Sequence, residues 1–230
     1  RRRGLRLCFG FPNGLRCDRL GGDEIDALAG AGCWRINVAV ETASTRLQER
    51  IRKFNDLDAI ARTIHRSAAR GILTHGFFML GFPTETRGEL NETVRWAADS
   101  ELHLANFFRV IPMPGSPLRE QSAELGLPVD NAFEAFEGNG SNFNLSSVDT
   151  AELEHVHREA TRLFYRSPRR LSRTLRVLPR HPALLGLYTK EFFTRLVIGT
   201  TYPHLAQKLS GATGWRRGLD WLTTGDAYGR

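Results

Sequence analysis

Three apolar runs in the sequence end in residues suited to holding a ligand: Glu41-Thr42 after Val38-Ala39-Val40, Gly81-Phe82-Pro83-Thr84-Glu85-Thr86 after Phe77-Phe78-Met79-Leu80, and Pro112-Met113-Pro114-Gly115-Ser116-Pro117 after Ile111. A carboxylate such as Glu41 accepts hydrogen bonds from sugar hydroxyls or an ammonium group; equally, it serves as an acid ahead of a helix opening at Ser44. Gly81 leaves room for a flat ligand against the backbone, with Pro83 stiffening the turn, or it supplies only a positive φ. Glu85 bonds a ligand or reinforces a helix start. Ile111 and Pro112 form an apolar wall for a base, with main-chain groups freed by the proline, or plain core and loop.

Other chemistries lose their support. Cys8, Cys17 and Cys33 are spaced by 9 and 16, without the CxxC or CxxxCxxC spacing of zinc or iron–sulfur ligands, so no metal ligand is assigned within the chain. They read as small buried hydrophobes in a reducing, cytoplasmic compartment. Of the seven histidines only His155 and His157 stand two apart, and on a helix these diverge; no HExxH, GxSxG, Walker or GxGxxG sequence occurs. No catalytic residue is assigned.

The elements that must position these residues alternate between two periods. Leu5–Phe9, Arg35–Val40, Ile72–Leu80 and Leu104–Ile111 read as strands, and the continuously apolar Phe77–Leu80 fits a strand buried on both faces. Helices are expected over Asp23–Ala31, Ser44–Lys53 and Leu57–Arg70, the last with Asp56 as N-cap and Gly71 as C-cap, and another opens at a Thr86–Glu89 capping box. The strand–helix alternation, with crossovers too long for hairpins, predicts an α/β fold with a parallel sheet, open or curled into a barrel. Ligands of such folds bind at the carboxyl ends of the strands, where all three candidate stretches fall. From Pro112 to Pro128, Pro and Gly break regular structure, and Gly138–Asn142 reads as a polar loop. Helical texture returns at Asp149, whose pairing with Glu152 makes a cap, and continues through a basic stretch from Arg166 to Arg180 and a helix over Tyr188–Ile198. The last 20 residues, rich in Gly, Thr and Trp, read as loosely ordered.

With 230 residues, 41% hydrophobic and 25% charged, the composition is that of an ordinary globular protein. No apolar run is long enough to span a membrane and no secretory signal is visible. The opening Arg1-Arg2-Arg3, in place of Met, fits a chain that is trimmed or part of a longer one. Residues 156–230 hold 14 basic and 4 acidic side chains, a net +10, against −3 for residues 1–155. That tail is expected to face something anionic: a membrane surface, an acidic partner or, less suited for want of a reading module, nucleic acid. Its basic amphipathic segments suit an interfacial helix or, alternatively, a helical lid with a solvated face.

The runs Asn13–Leu20, Ala31-Gly32-Cys33, Val40-Glu41-Thr42, His75–Thr86 and Pro112–Leu118, together with Tyr165–Leu171, resemble radical S-adenosylmethionine enzymes, most closely the branch that often carries an upstream cobalamin-binding domain. The resemblance spans roughly residues 5–125. It implies the later part of a partial (β/α)6, TIM-like barrel (1–125), a linker (126–148) and a basic helical C-terminal region (149–230). S-adenosylmethionine would sit at the barrel's top rim: Glu41 near its sugar or methionine end with Thr42 beside it, Lys53 at a recurrent basic position, Gly81, Pro83 and Glu85 beside adenine, and Ile111 and Pro112 as the wall. Thr84 stands where the family usually has glycine, Thr42 where it has serine, and Ser116 where it has threonine. The three cysteines that hold the family's 4Fe-4S cluster are missing from these residues and would precede them. The chain alone is therefore expected to be inactive, as part of an enzyme that transfers methyl groups or modifies a carbon skeleton. The cofactors implied are S-adenosylmethionine, the cluster and, in the cobalamin branch, cobalamin; the partners are an electron donor protein and a small or lipid-like substrate. A non-catalytic α/β module docking through its basic tail, peripheral to an anionic membrane, is the competing reading.

Overall fold

The computed structural model describes residues 7–127, 129, 144–178 and 182–198. Four strands, β1 (Phe9–Leu15), β2 (Cys33–Glu41), β3 (Leu73–Leu80) and β4 (Leu104–Arg109), form one parallel sheet in the order β1-β2-β3-β4. Each strand pairs with the next in sequence, the progression of a barrel wall rather than of a sheet that reverses direction midway. Helices α1 (Gly22–Ala31), α2 (Thr45–Arg50) with α3 (Leu57–Ala69), and α4 (Arg87–Asp99) make the crossovers. After β4 come α5 (Pro117–Glu124), α6 (Thr150–Tyr165), α7 (Pro168–Val177) and α8 (Pro182–Ile198). Residues 1–200 belong to one compact unit, and 201–230 lie outside the described residues.

The helices start where the sequence supplies caps. Asp56 accepts the Ala59 amide at 2.9 Å, Asp149 accepts the Glu152 amide at 2.7 Å, and Thr86 with Glu89 closes a reciprocal capping box. One face of the sheet carries Ile36, Val38, Val40, Phe78, Leu80 and Phe107 into a shared core with Ile60 and Ile64 of α3 and Leu90, Val94 and Ala97 of α4. Along β3 the opposite face alternates His75, Phe77 and Met79, the period-two pattern of a strand.

The first strand differs from the sequence expectation. It begins at Phe9 and runs to Leu15, with Leu7 and Cys8 outside it and Leu5 and Arg6 outside the described residues. Its Gly, Pro and Asn lack strand propensity, but tertiary pairing to β2 holds them, with register shifts and an Asn37 side-chain bond to the Pro12 carbonyl at 2.5 Å. Helix α5 corrects the reading of Pro112–Pro128 as continuously broken: Ser116 caps it and Pro117 takes the first turn, where a missing N–H costs nothing. Helix α8 begins at Pro182, six residues before Tyr188. The 138–142 loop and the last 20 residues lie outside the described residues.

Helix α6 completes the sheet. Strand β4 is an edge, and side chains of the helix take up its outward backbone groups. The Tyr165 hydroxyl donates to the Ala105 carbonyl at 3.0 Å and accepts its amide at 3.1 Å, while His157 Nε2 meets the Phe107 carbonyl at 2.8 Å. From α8, Arg195 adds bonds to the Ala105 carbonyl, Asn106 Oδ1 and Tyr165. Arg170 of α7 is buried, stacks 3.6 Å over the Phe164 ring and donates to the Ala98 carbonyl at 2.6 Å. Arg170 and Arg195 therefore hold the helical region to the sheet rather than facing solvent.

Candidate functional site

Because all four strands run the same way, Glu41, Gly81 and Ile111-Pro112 leave the sheet at the same edge. Glu41 pairs with Phe78 in register, and the Val110 amide bonds the Leu80 carbonyl at 2.9 Å, so the three stretches follow one another along adjacent strand ends.

Glu41 adopts φ 67°, and the Thr42 amide bonds back to the Val40 carbonyl at 3.0 Å across it. Such a three-residue turn on a non-glycine residue is strained and persists only where its surroundings over-determine it. Here they do. Gln48 of α2 donates to the Val40 and Thr42 carbonyls at 2.9 and 2.6 Å, and Asn55 donates to the Ala39 and Val40 carbonyls, both at 3.1 Å. The turn throws the Glu41 carboxylate outward, where Oε1 meets Lys53 Nζ at 2.8 Å and Oε2 makes no hydrogen bond to another described residue. Lys53 and Glu41 thus act as a pair, each partly open to solvent. Thr42 goes the other way: fully buried, its hydroxyl contacts Thr93 of α4 at 3.1 Å and accepts the Ser44 amide at 3.2 Å, fastening the turn to the helix layer.

The turn after β3 is organised by Glu85. Its Oε2 accepts the amides of Gly81 and Phe82 at 2.6 and 3.0 Å, while Oε1 is buried without a partner. Burial outweighs the two amides and pushes this carboxyl up to about 7. Gly81 is needed twice over: its φ is 94°, and an added Cβ would stand 3.1 Å from Leu153 of α6. Pro83 is buried beside it, and the next residue, Thr84, takes φ 63° without being glycine. Arg46 and Arg50 of α2 both donate to the Thr84 hydroxyl at 3.2 Å, and Arg46 also holds Glu89. Glu89 is pushed up by burial, yet bonds from Arg46, the Thr86 amide and Ser44 pull it down to about 2.

At the third strand end Pro112 is buried and Ile111 partly so, which suits an apolar wall. The expectation of free main-chain groups there is corrected: the Ile111 carbonyl accepts the Met113 amide at 3.0 Å, closing a tight turn. Leu47, Phe82, Val110 and Leu145 pack into a second small core under this edge.

Sequence reading passes over a chain of polar groups on the sheet's open face. Arg35 donates to His75 Nδ1 at 2.7 Å, so the neutral ring carries its proton on Nε2 and donates to Asn106 Oδ1 at 3.1 Å, which also accepts from Arg195. Burial, with Arg35 and Arg195 nearby, lowers His75 to about 3. The signal is the alternation of Arg35, Asn37 and His75 with apolar neighbours, which the scattered histidines obscure.

Among the described residues no group of three or more His, Cys, Asp or Glu is arranged to hold a metal ion. Cys17 is buried and its thiol is pushed up to about 12 by that burial, the opposite of a ligating thiolate. A nucleoside offers groups this edge can meet: Glu41 Oε2 is a carboxylate oxygen with no partner among the described residues, held by a rigid turn, and Ile111-Pro112 leave the sheet two strands away.

Residues 2–97 match the family model of the Radical SAM superfamily. A cytidylyl-2-hydroxyethylphosphonate methyltransferase from Streptomyces wedmorensis is 27% identical over 127 residues, 52% of this chain and 24% of that protein. An uncharacterized methyltransferase from Pyrococcus horikoshii is 25% identical over 143 residues, 62% of this chain and 31% of its own length. The chain thus spans less than a third of the curated relatives it matches. Residues 2–97 are thus similar to the radical SAM superfamily, and the parallel sheet with its flanking helices is consistent with a partial barrel of that kind.

Proposed function

We propose that this chain supplies the nucleoside-holding rim of a radical S-adenosylmethionine enzyme of the cobalamin-associated kind, one that transfers a methyl group or modifies a carbon skeleton. The observation that carries this reading is the shared strand edge at which Glu41–Lys53, the Gly81–Glu85 turn and Ile111-Pro112 emerge. Glu41 Oε2 accepts the ribose hydroxyls of the ligand, and Lys53, bonded to the other oxygen, fixes the carboxylate's orientation. Ile111 and Pro112 give the adenine an apolar wall, and Glu85 keeps the Gly81-Phe82 turn rigid beside it. Pro83 stiffens that turn, and Thr42 anchors the strained one at Glu41.

When bound, S-adenosylmethionine and a 4Fe-4S cluster supply the reductive radical chemistry of the superfamily. The cluster ligands come from polypeptide outside residues 1–230, as does any cobalamin-binding domain, so these residues alone are inactive in this reading. The open face of the sheet offers Phe77 and Phe108, in edge contact at 5.7 Å, to a small or lipid-like substrate. An electron donor protein completes the set. In this reading the barrel part, the 126–148 linker and the helical region from 149 belong to a cytoplasmic enzyme.

The test is S-adenosylmethionine binding to the full-length protein, prepared anaerobically, by equilibrium dialysis. Glu41→Gln should weaken binding about tenfold, the scale of a lost charge-assisted hydrogen bond. Unchanged affinity in Glu41→Gln, with the cluster absorbance intact, refutes the assignment.

A further inference from the structure

At the opposite end of the sheet, where β3 and β4 begin, three hydrogen-bond donors are buried without an acceptor. His103, fully buried, accepts the Thr74 amide at Nδ1 at 3.0 Å, so its remaining proton sits on Nε2, which has no partner. Arg170 uses its terminal nitrogens on the Leu102 and Ala98 carbonyls, leaving Nε unpartnered. Arg173, one turn further along α7, has a buried Nη1 with no partner, and its side chain makes no hydrogen bond to another described residue. The three groups are neighbours: Arg173 and Arg170 both bear electrostatically on His103, and Arg173 on Arg170. Among the described residues no carboxylate is paired with either arginine; exposed Asp99 is close enough to influence Arg170 but forms no ion pair with it.

From the solvent side Arg173 opens into a hollow of about 470 Å³ lined by Pro168, Arg169, Ser172, Arg173 and Arg176. The spacing 169, 172–173, 176 puts these side chains on one face of α7. Buried donors without acceptors each cost free energy, and closely placed guanidiniums without a counter-charge repel. An oxyanion in the hollow would offset the charge at Arg173 and accept from its guanidinium, with Arg169 and Arg176 beside it.

We propose that Arg173, with Arg169, Ser172 and Arg176 lining the same hollow and Arg170 and His103 buried behind it, forms a binding site for a phosphate-type oxyanion, at the end of the sheet away from the proposed nucleoside rim. The ligand is a phosphate group, carried by a soluble phosphate compound or by a lipid headgroup. This site gives the basic tail an anionic partner of definite chemistry, and it stands whether or not the rim binds S-adenosylmethionine.

The test follows thermal unfolding of the full chain against inorganic phosphate, with chloride at matched ionic strength as the control. Phosphate should stabilise the native protein saturably, and Arg173→Gln should weaken that binding about tenfold. Without phosphate, Arg173→Gln should be at least as stable as the native sequence, because the Arg173 side chain has no hydrogen bond to another described residue to lose; this outcome separates a binding defect from a folding defect. A second arm measures co-sedimentation with phosphatidylcholine vesicles, with and without phosphatidic acid. Retention on phosphatidic acid that free phosphate competes away assigns the site to a headgroup, and saturable phosphate binding without retention assigns it to a soluble compound. Phosphate and chloride acting alike, or equal phosphate response in the native protein and Arg173→Gln, overturns the proposal.

Discussion

Replacing Glu85 with glutamine should remove a pH dependence of folding whose sign and size follow from the turn after β3. In the folded chain the Glu85 carboxyl is fully buried and titrates near 7, against an ordinary 4.5. Between those values the folded chain holds a proton that the unfolded chain has released. Stability contributed by this residue is therefore present below pH 4.5 and falls as pH rises through 7. At about 1.4 kcal/mol per pH unit, the loss above pH 7 is about 3 kcal/mol. The amide side chain of the Glu85→Gln variant keeps an oxygen to accept the Gly81 and Phe82 amides but does not ionise. The assay is urea unfolding followed by circular dichroism for both proteins from about pH 4.5 to 8.5, spanning the titration. His75 and His103, both lowered to about 3 by burial, add stability as pH rises from 3 toward 6.5, in the opposite direction. The quantity of interest is therefore the stability difference between variant and native protein at each pH, in which their contributions cancel. That difference should grow in favour of Glu85→Gln by about 3 kcal/mol across the range. A difference that stays flat with pH refutes the reasoning and means that Glu85 is ionised in the fold at no cost.

Two further substitutions probe the same architecture. Thr84→Gly and Thr84→Ala both lose the hydroxyl contacts with Arg46 and Arg50, but only glycine relieves the positive φ; the glycine variant should be the more stable by about 1 kcal/mol in chemical denaturation, and equal stabilities would mean the backbone strain is negligible. Tyr165→Phe strips the edge strand of a partner for the Ala105 amide and carbonyl, and should cost about 1–3 kcal/mol together with faster hydrogen exchange of the Ala105 amide; unchanged exchange would show that α6 does not serve as the sheet's missing neighbour.

The elements most legible in the sequence are those governed locally. Asp56, Thr86 and Asp149 announce their helices because a cap is a contact within four residues. The apolar Phe77–Leu80 run announces a central strand, but only Phe78 and Leu80 are buried; Phe77 and Met79, on the other face, stay partly exposed, so the expected burial on both faces is corrected. Strand β1 lies away from its expected place for the opposite reason: Gly10, Pro12 and Asn13 carry no local strand signal and are held by bonds to β2. Among the candidate site residues, type and position single out Glu41 and the family resemblance adds Lys53, but the outward turn that lets them pair depends on Gln48 and Asn55 across space. Thr42 and Glu85 look alike in sequence as polar residues at strand ends, and the fold buries both.

The order of caps, apolar periods and punctuating prolines and glycines determined the alternation of strand and helix, the parallel sheet and the edge on which the candidate residues fall. Those signals act within a turn or a strand, so one chain read in order contains them. Tertiary structure alone decided which polar side chains stay open at the strand ends and which hold the fold: Arg170 and Arg195 inside rather than on a charged surface, Tyr165 in place of a neighbouring strand, and His103 left as a donor without an acceptor among the described residues. The reason is distance. Each of those outcomes depends on partners 29 to 90 residues away, and no local pattern encodes who will be there.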